Sequence, residues 1–537
     1  MHGFWLLLVV VLLAACSQRG GREEGFFRYN ESSGITSLDP AFAKNQSNIW
    51  AVHQLFNTLV ETDSNMQLQP ALARSWTVHA DGRRIRFLLR TDVYFHDHPV
   101  FPQGKGRKMV AADVVYSFSR LIDPVTASPG AWIFNNRVEP DSPFVAINDS
   151  VFELRLQRPF VQILGVLSNA YCSVVPREVV EHYGPAFRSN PCGTGPFRFF
   201  RWEEGQVLLL RRNDHYFETD AAGRRLPYLK GVKVSFLDSK AAEFLEFRQG
   251  RLEFINDIDP SFKDEILTRG GMLRKAWEGK LVLHKHPYLN IEYLGILSDT
   301  SNPLVKNSPL RLLEVRRAIN YGFNRKKMML YLRNSIGTAA ENGFIPLGLP
   351  GFDSGIVKGY HYNPEKARRL LQQAGFSTQR PLPEIPLLTI PIYADLAAYI
   401  ARELEEIGIR IRVEVIPKSL LLTQTARNQA LFFRGSWIAD YPDAENYLSV
   451  FYSKNPSPPN YTRYHNKAFD ALYEQSTREV NDSLRYRLYS QMDRMVMEDA
   501  VVVPLWYDMV IHLVQPYVRQ FRPNALNVLE LRRVQLR

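Results

Sequence analysis

The segment from Pro386 to Val415 constrains the fold more than any other stretch. Pro386-Leu-Leu-Thr-Ile390 is an apolar run of strand length. Leu396 to Ile407 carries apolar residues at helical spacing and is stopped by Gly408. Ile409-Arg-Ile-Arg-Val-Glu-Val415 then alternates apolar and polar residues, as a strand does. Strand, helix and strand in this order form a β-α-β unit, whose crossover pairs its strands in parallel. Just upstream, Asn363-Pro364 reads as a helix cap followed by Pro at the first helical position, with Gly375 closing the helix. An α/β fold is therefore expected for the second half.

The chain has 537 residues, too many for one core and enough for two or three domains. Phe26-Phe-Arg-Tyr29 reads as a first strand, and Asn48 to Val60 has helical spacing at Ile49, Val52, Leu55, Phe56 and Leu59. Pro70 to Asp97 reads as a meander of strands turning at Asp81-Gly82, and Leu229 to Phe254 as strand, helix, strand. A further helix is expected over Leu310 to Phe323. A new strand, and a hinge, are expected at Pro287 to Leu294. Val501 to Trp506 reads as a strand returning to the first domain.

Several function classes are excluded or disfavoured. The formal charge is +11, but pairs such as Arg83-Arg84 and Arg532-Arg533 are scattered, so no nucleic-acid partner is expected. His96-x-His98 would put two imidazoles on one strand face, short of a metal site without a third ligand. Gly193-Thr-Gly195 is followed by Arg198 where a dinucleotide loop needs glycine, and Gly104-Lys-Gly106 lacks phosphate-loop spacing. Gly-x-Ser-x-Gly and His-Glu-x-x-His are absent. An enzyme is therefore disfavoured, and no metal or cofactor is expected.

The N-terminus carries an address. Phe4 to Leu13 is apolar but too short to span a membrane, which needs about 20 residues. Residues 1–15 fit a secretory signal and 16–25 a polar, Gly-rich tether. Outside the reducing cytosol, a disulfide between Cys172 and Cys192 is allowed, and two free buried thiols remain equally open.

A second informative stretch is Arg434-Gly-Ser-Trp437-Ile-Ala-Asp440-Tyr441-Pro442-Asp443-Ala-Glu-Asn446-Tyr447-Leu448, preceded by the apolar run Ala430-Leu-Phe-Phe433. A buried strand ending near Ala439 would put Trp437 and Asp440 beside a turn. A carboxylate beside an indole suits capture of a cation; a core Trp and a helix-capping Asp suit the same letters.

This stretch resembles the ligand-site segment of the bacterial family 5 extracellular solute-binding proteins, the oligopeptide and dipeptide receptors of ABC importers. Ser37-Leu-Asp-Pro40 to Leu59, Pro70 to Asp97, Ala111 to Pro129 and Gly193 to Phe197 resemble the same family in order. The resemblance implies a two-lobed periplasmic-binding-protein-like α/β fold of type II, with an extra subdomain in the first lobe. The first lobe would comprise residues 26–56, 175–289 and 501–537, with 57–174 inserted, and residues 290–500 would form the second lobe. It implies that Asp440 pairs with a peptide ammonium, that Trp437 lines a side-chain pocket, that Arg434 meets a carboxylate, and that extended Lys44-Asn45-Gln46 bonds the peptide main chain. Leu13-Ala-Ala-Cys16 resembles the lipoprotein box, which implies a lipid on Cys16 and an extracytoplasmic, periplasmic or cell-surface protein anchored to a bacterial membrane. The implied partners are a peptide or other small solute and the permease and ATPase subunits of an importer; a monomer is expected.

Some positions depart from the oligopeptide binders. Gly130 stands where a contacting Tyr can lie, with Trp132 nearby. Pro417-Lys-Ser-Leu420 stands near a second pocket Trp, and no His lies near Asp395. Asn290 and Ile438 occupy positions that can be bridged cysteines. Relatives of the family bind glutathione, sugars or nickel complexes, and a surface adhesin or chaperone could use the same fold.

Overall fold

The computed structural model describes residues 25–537, so the signal segment and Cys16 lie outside the described residues. Among the described residues no helix is long and apolar enough to cross a membrane.

One eleven-stranded sheet runs through the molecule. Its centre is a pair of long antiparallel strands, Val282–Ile296 and Val502–Val514. On one side follow Phe432–Ile438, Ile385–Thr389 and Ile411–Val415. On the other follow Phe254–Asn256, Phe26–Asn30, Gly231–Ser235, Val207–Arg212 and Phe197–Glu203, and the short Thr338–Ala339, off this order, pairs with Val502–Val514 as the eleventh. The β-α-β unit is present: Ile385–Thr389 and Ile411–Val415 are parallel, with Leu387 opposite Val413, and helix Ala394–Glu405 connects them. Its apolar stripe, including Leu396, Ile400 and Leu404, packs with Leu387 and Phe432. Each such side chain, fully buried, contributes about 1.5–3 kcal/mol.

A separate four-stranded antiparallel sheet is built from residues 73–155. Helix Ala111–Ile122 covers it, with Phe118 packed edge-on against Phe144 and Phe152. This sheet shares one continuous core with Phe27, Val232 and their neighbours, whereas Leu294, Ile319, Leu387 and Trp506 belong to a second core.

The strand expected to begin at Pro287 begins at Val282 instead. Pro287 still matters, because it has no N–H to donate and the pairing slips between it and Ile291. Leu289 bonds away from the ladder. Its N–H donates to Ala525 O at 2.9 Å, and its carbonyl accepts from Ala439 N–H at 2.9 Å and Tyr447 Oη–H at 2.7 Å. The long strand is thus anchored to the segment carrying Asp440 where its own regularity fails.

Two expectations are corrected. The first helix runs Gln46–Leu55, not Asn48 to Val60. It stops because the loop at Gly193 and Gly195 presses on its last turn: Gly195 N–H donates to Leu55 O at 2.9 Å, and a Cβ at Gly193 would lie 2.1 Å from that oxygen. His96 lies in a loop. Its Nε2 contacts Gly195 O at 3.0 Å and its Nδ1 accepts from Gly193 N–H at 3.3 Å, so both nitrogens serve the backbone. Of the two alternatives left open for Cys172 and Cys192, the structure has the free, buried thiols.

Candidate functional site

Strand Phe432–Ile438 is held antiparallel against Val282–Ile296, with Trp437 opposite Ile291. The strand ends at Ile438, and the chain turns through Asp440, Tyr441 and Pro442. Asn446, from the short helix Glu445–Leu448, ties this turn together. Its Oδ1 accepts from the Trp437 indole Nε1–H at 2.8 Å and from Asp440 N–H at 3.3 Å, and its Nδ2 donates to Asp440 Oδ2 at 3.3 Å. Asn446 is itself buried. One amide therefore fixes both the indole and the carboxylate.

Asp440 faces a cleft. Its surface is open to solvent, yet protein crowds it from several sides. That low-dielectric surround raises its carboxyl above the usual aspartate range, while the Asn446 amide and the positive field of Arg137 pull it back. No Lys, Arg or His forms an ion pair with it among the described residues. Asn169 reaches across from the other wall and donates to Asp440 O at 3.2 Å.

Two adjoining cavities share Trp132, Asp440 and Tyr441. The smaller, about 350 Å³, places Asp440 opposite Lys44, Asn45 and Gln46. The larger, about 1310 Å³, is lined by Trp437, Asn446 and Arg137. Five of the six residues singled out in the sequence thus border a common space. The Lys44-Asn45-Gln46 stretch is only partly extended. Asn45 is the N-cap of the first helix, its side chain accepting from Asn48 N–H at 3.0 Å, and Gln46 is the first helical residue, donating to Asn527 O at 3.3 Å.

Arg434 is set apart. It pairs with the buried carboxylate of Glu292, and its guanidinium lies 4.1 Å from the centre of the Tyr393 ring. It lines neither cavity.

Residues 67–459 match the profile of the bacterial extracellular solute-binding proteins, family 5. The chain belongs to this family. Among its relatives, the probable deoxycholate-binding periplasmic protein YgiS of Escherichia coli is 25% identical over 92% of this chain and 90% of its own length. Di/tripeptide-binding protein 2 of Pseudomonas aeruginosa is 26% identical over 98% of this chain and 94% of its own. In structure, the family 5 chain superposes on the unliganded open form of the periplasmic murein tripeptide binding protein MppA with a TM-score of 0.82, at 21% identity, over 96% of this chain and 98% of that one. The fold is thus the two-lobed α/β architecture of periplasmic binding proteins.

Within that architecture two site residues had escaped the sequence reading. Asn446 stood inside the quoted stretch, but only its bonds reveal that it positions its neighbours. Tyr171 occupies the space above Gly130: a Cβ at Gly130 would meet its ring at 2.6 Å. Tyr171 lines the smaller cavity, and burial, reinforced by the charge of Asp440, pushes its hydroxyl up to about 12. The glycine that replaces an expected Tyr therefore admits a Tyr from another segment. Trp132 also faces the cleft, stacked on Tyr441 with ring centres 6.4 Å apart.

Proposed function

We propose that this chain is the substrate-binding lipoprotein of an ABC importer, which captures peptides between its lobes and delivers them to a membrane permease. The observation that carries the reading is Asp440: a carboxylate without an ion-pair partner among the described residues, oriented by Asn446, beside Trp437 and in a cleft. A peptide's α-ammonium supplies the missing charge and is common to nearly all peptides. Lys44 and Asn45 are exposed, and the Lys44 carbonyl and Asn45 N–H, unlike the Lys44 N–H and Asn45 carbonyl, are left to bond a peptide main chain without reading its sequence. The di/tripeptide-binding name of one relative supports the reading; the deoxycholate-binding name of another keeps a non-peptide solute as the second. The relatives are named as binding proteins, so catalysis is disfavoured.

The lobes are assigned as residues 26–56, 175–289 and 501–537 with 57–174 inserted, and residues 290–500. The long strands Val282–Ile296 and Val502–Val514 join the two parts, with Val503, Leu505 and Trp506 at the start of the second packing among residues of 290–500.

Native mass spectrometry of the purified protein, followed by calorimetry with the released compound, tests the function. A stoichiometric free-amine peptide is the expected result. A retained sterol, sugar or metal complex would replace the peptide reading, and a product of turnover would revive the enzyme.

Cys16, behind Leu13-Ala-Ala, is proposed to carry the lipid that holds the protein at an extracytoplasmic membrane face. Cys16→Ala is expected to free the protein from membranes or leave its precursor uncut. Fractionation and intact-mass analysis that match the parent would sink the anchor.

A further inference from the structure

The larger cavity extends from Asp440 between residues 78–83, 132–137 and 157–160 on one wall and residues 437–480 on the other. Its charged side chains do not balance. Asp81 is taken by Arg84 at 3.1 Å. Glu445 accepts hydrogen bonds from the hydroxyls of Tyr441 and Tyr473. Glu474 pairs with Lys454. Asp440 and Glu445 are left without an ion-pair partner among the described residues. Against them stand the guanidinium groups of Arg83, Arg137, Arg158 and Arg478, none with an ion pair among the described residues.

Arg137 lies deepest and is the best oriented. Its Nη1 donates to the carbonyls of Trp132 at 3.1 Å and Ile133 at 3.3 Å. The faces of Trp132 and Phe160 lie 5.6 and 5.1 Å from its guanidinium carbon. Two carbonyls and two rings hold the plane, while Nε and Nη2 have no protein acceptor among the described residues. A planar fork fixed on one edge and free on the other suits a carboxylate, which it can meet with two parallel bonds. Its field already reaches Asp440, so both groups act within one space. Arg83, Arg158 and Arg478 are exposed at the rim. Four unpaired guanidinium groups outnumber the two unpaired carboxylates, and the excess attracts ligands of the opposite charge.

We propose that this cleft prefers acidic peptides, with the ammonium at Asp440 and the ligand's carboxylates taken by Arg137 and the rim arginines. The inference rests on the peptide reading above and names the class of peptide within it. A neutral tripeptide brings one carboxylate to four guanidinium groups. A peptide with two acidic side chains brings three. A basic peptide puts its side-chain cations against them.

The test is calorimetry of the full mature chain with Ala-Glu-Glu, Ala-Ala-Ala and Ala-Lys-Lys. Salt is set at about 0.1 M and about 1 M, between which the screening length falls from about 10 to about 3 Å. Ala-Glu-Glu is expected to bind at least about tenfold more tightly than Ala-Ala-Ala at low salt, with Ala-Lys-Lys weakest. The gap should narrow at high salt. Arg137→Gln should shrink it as well. Because Arg137 also braces its own loop, the exposed double variant Arg158→Gln/Arg478→Gln provides a second reading that does not depend on that loop. Equal affinities for the three peptides at low salt, or a preference that both variants leave intact, would overturn the proposal alone. Failure of all three peptides to bind would overturn it together with the peptide reading.

Discussion

Asp440→Asn is expected to weaken binding of free-amine peptides by about two orders of magnitude, and binding of N-acetylated peptides far less. The amide keeps the shape of the carboxyl and loses its charge. Removing one partner of a desolvated ion pair typically costs about 2–5 kcal/mol, mostly by stranding the other charge. Asp440 is exposed at the cleft surface, so much of its desolvation comes only with the bound ligand. The lower part of that range therefore applies, about 2–3 kcal/mol, which corresponds to roughly 30- to 150-fold in affinity.

The same residue makes binding depend on pH in one direction. Its carboxyl sits above the ordinary aspartate range. An ammonium favours the charged form, so binding must release any proton that Asp440 holds. Affinity should therefore be full at neutral pH and fall as the pH drops through the raised value. Asp440→Asn should lack this fall. Calorimetry across the acidic range reads both effects. An Asp440→Asn protein that binds free-amine peptides as tightly as the parent would make Asp440 a structural cap.

Much of the scaffold was legible because its signals are local. Asn363, Pro364 and Gly375 mark the ends of helix Pro364–Gln373 as read, with Gly375 at a φ of 84° that other residues rarely adopt. The positions Asn290 and Ile438, which the family can bridge, are direct cross-strand partners here, so the register carried over even though the cysteines did not. What the letters could not carry was long-range. The end of the first helix is set by glycines about 140 residues later in the chain, through a close approach that no periodicity reports. Tyr171 fills the space above Gly130 from a different segment. The role of Asn446 is a matter of three bonds and not of spacing. Sites of this kind depend on which elements meet, and pattern within one element does not fix that.

Arg434→Ala is expected to cost stability rather than affinity. The resemblance matches Arg434 to a position that can meet a peptide carboxylate, and a loss of affinity for short peptides would follow from that alone. In the structure its guanidinium is paired with Glu292, which is buried, and stacked on Tyr393. Removing it leaves Glu292 with the Asn290 amide and the Tyr393 hydroxyl, each at 3.3 Å. Burial raises the Glu292 carboxyl, and Arg434 is the strongest of the groups that lower it. Breaking a buried pair by removing one partner typically costs about 3–5 kcal/mol. The two remaining donors, and the ease with which a raised carboxyl takes up a proton, bring the expected loss to the lower end, about 3 kcal/mol. The loss should be larger at neutral than at acidic pH, because protonation relieves the stranded charge. Arg434→Met combined with Glu292→Met removes both charges and should restore most of the stability, since the desolvation cost disappears with the pair. Urea unfolding of the parent, the single variant and the double variant measures this, and calorimetry with a dipeptide should change less than about tenfold. A single variant that unfolds like the parent but binds dipeptides about a hundredfold more weakly would return Arg434 to the ligand and make Glu292 merely its support.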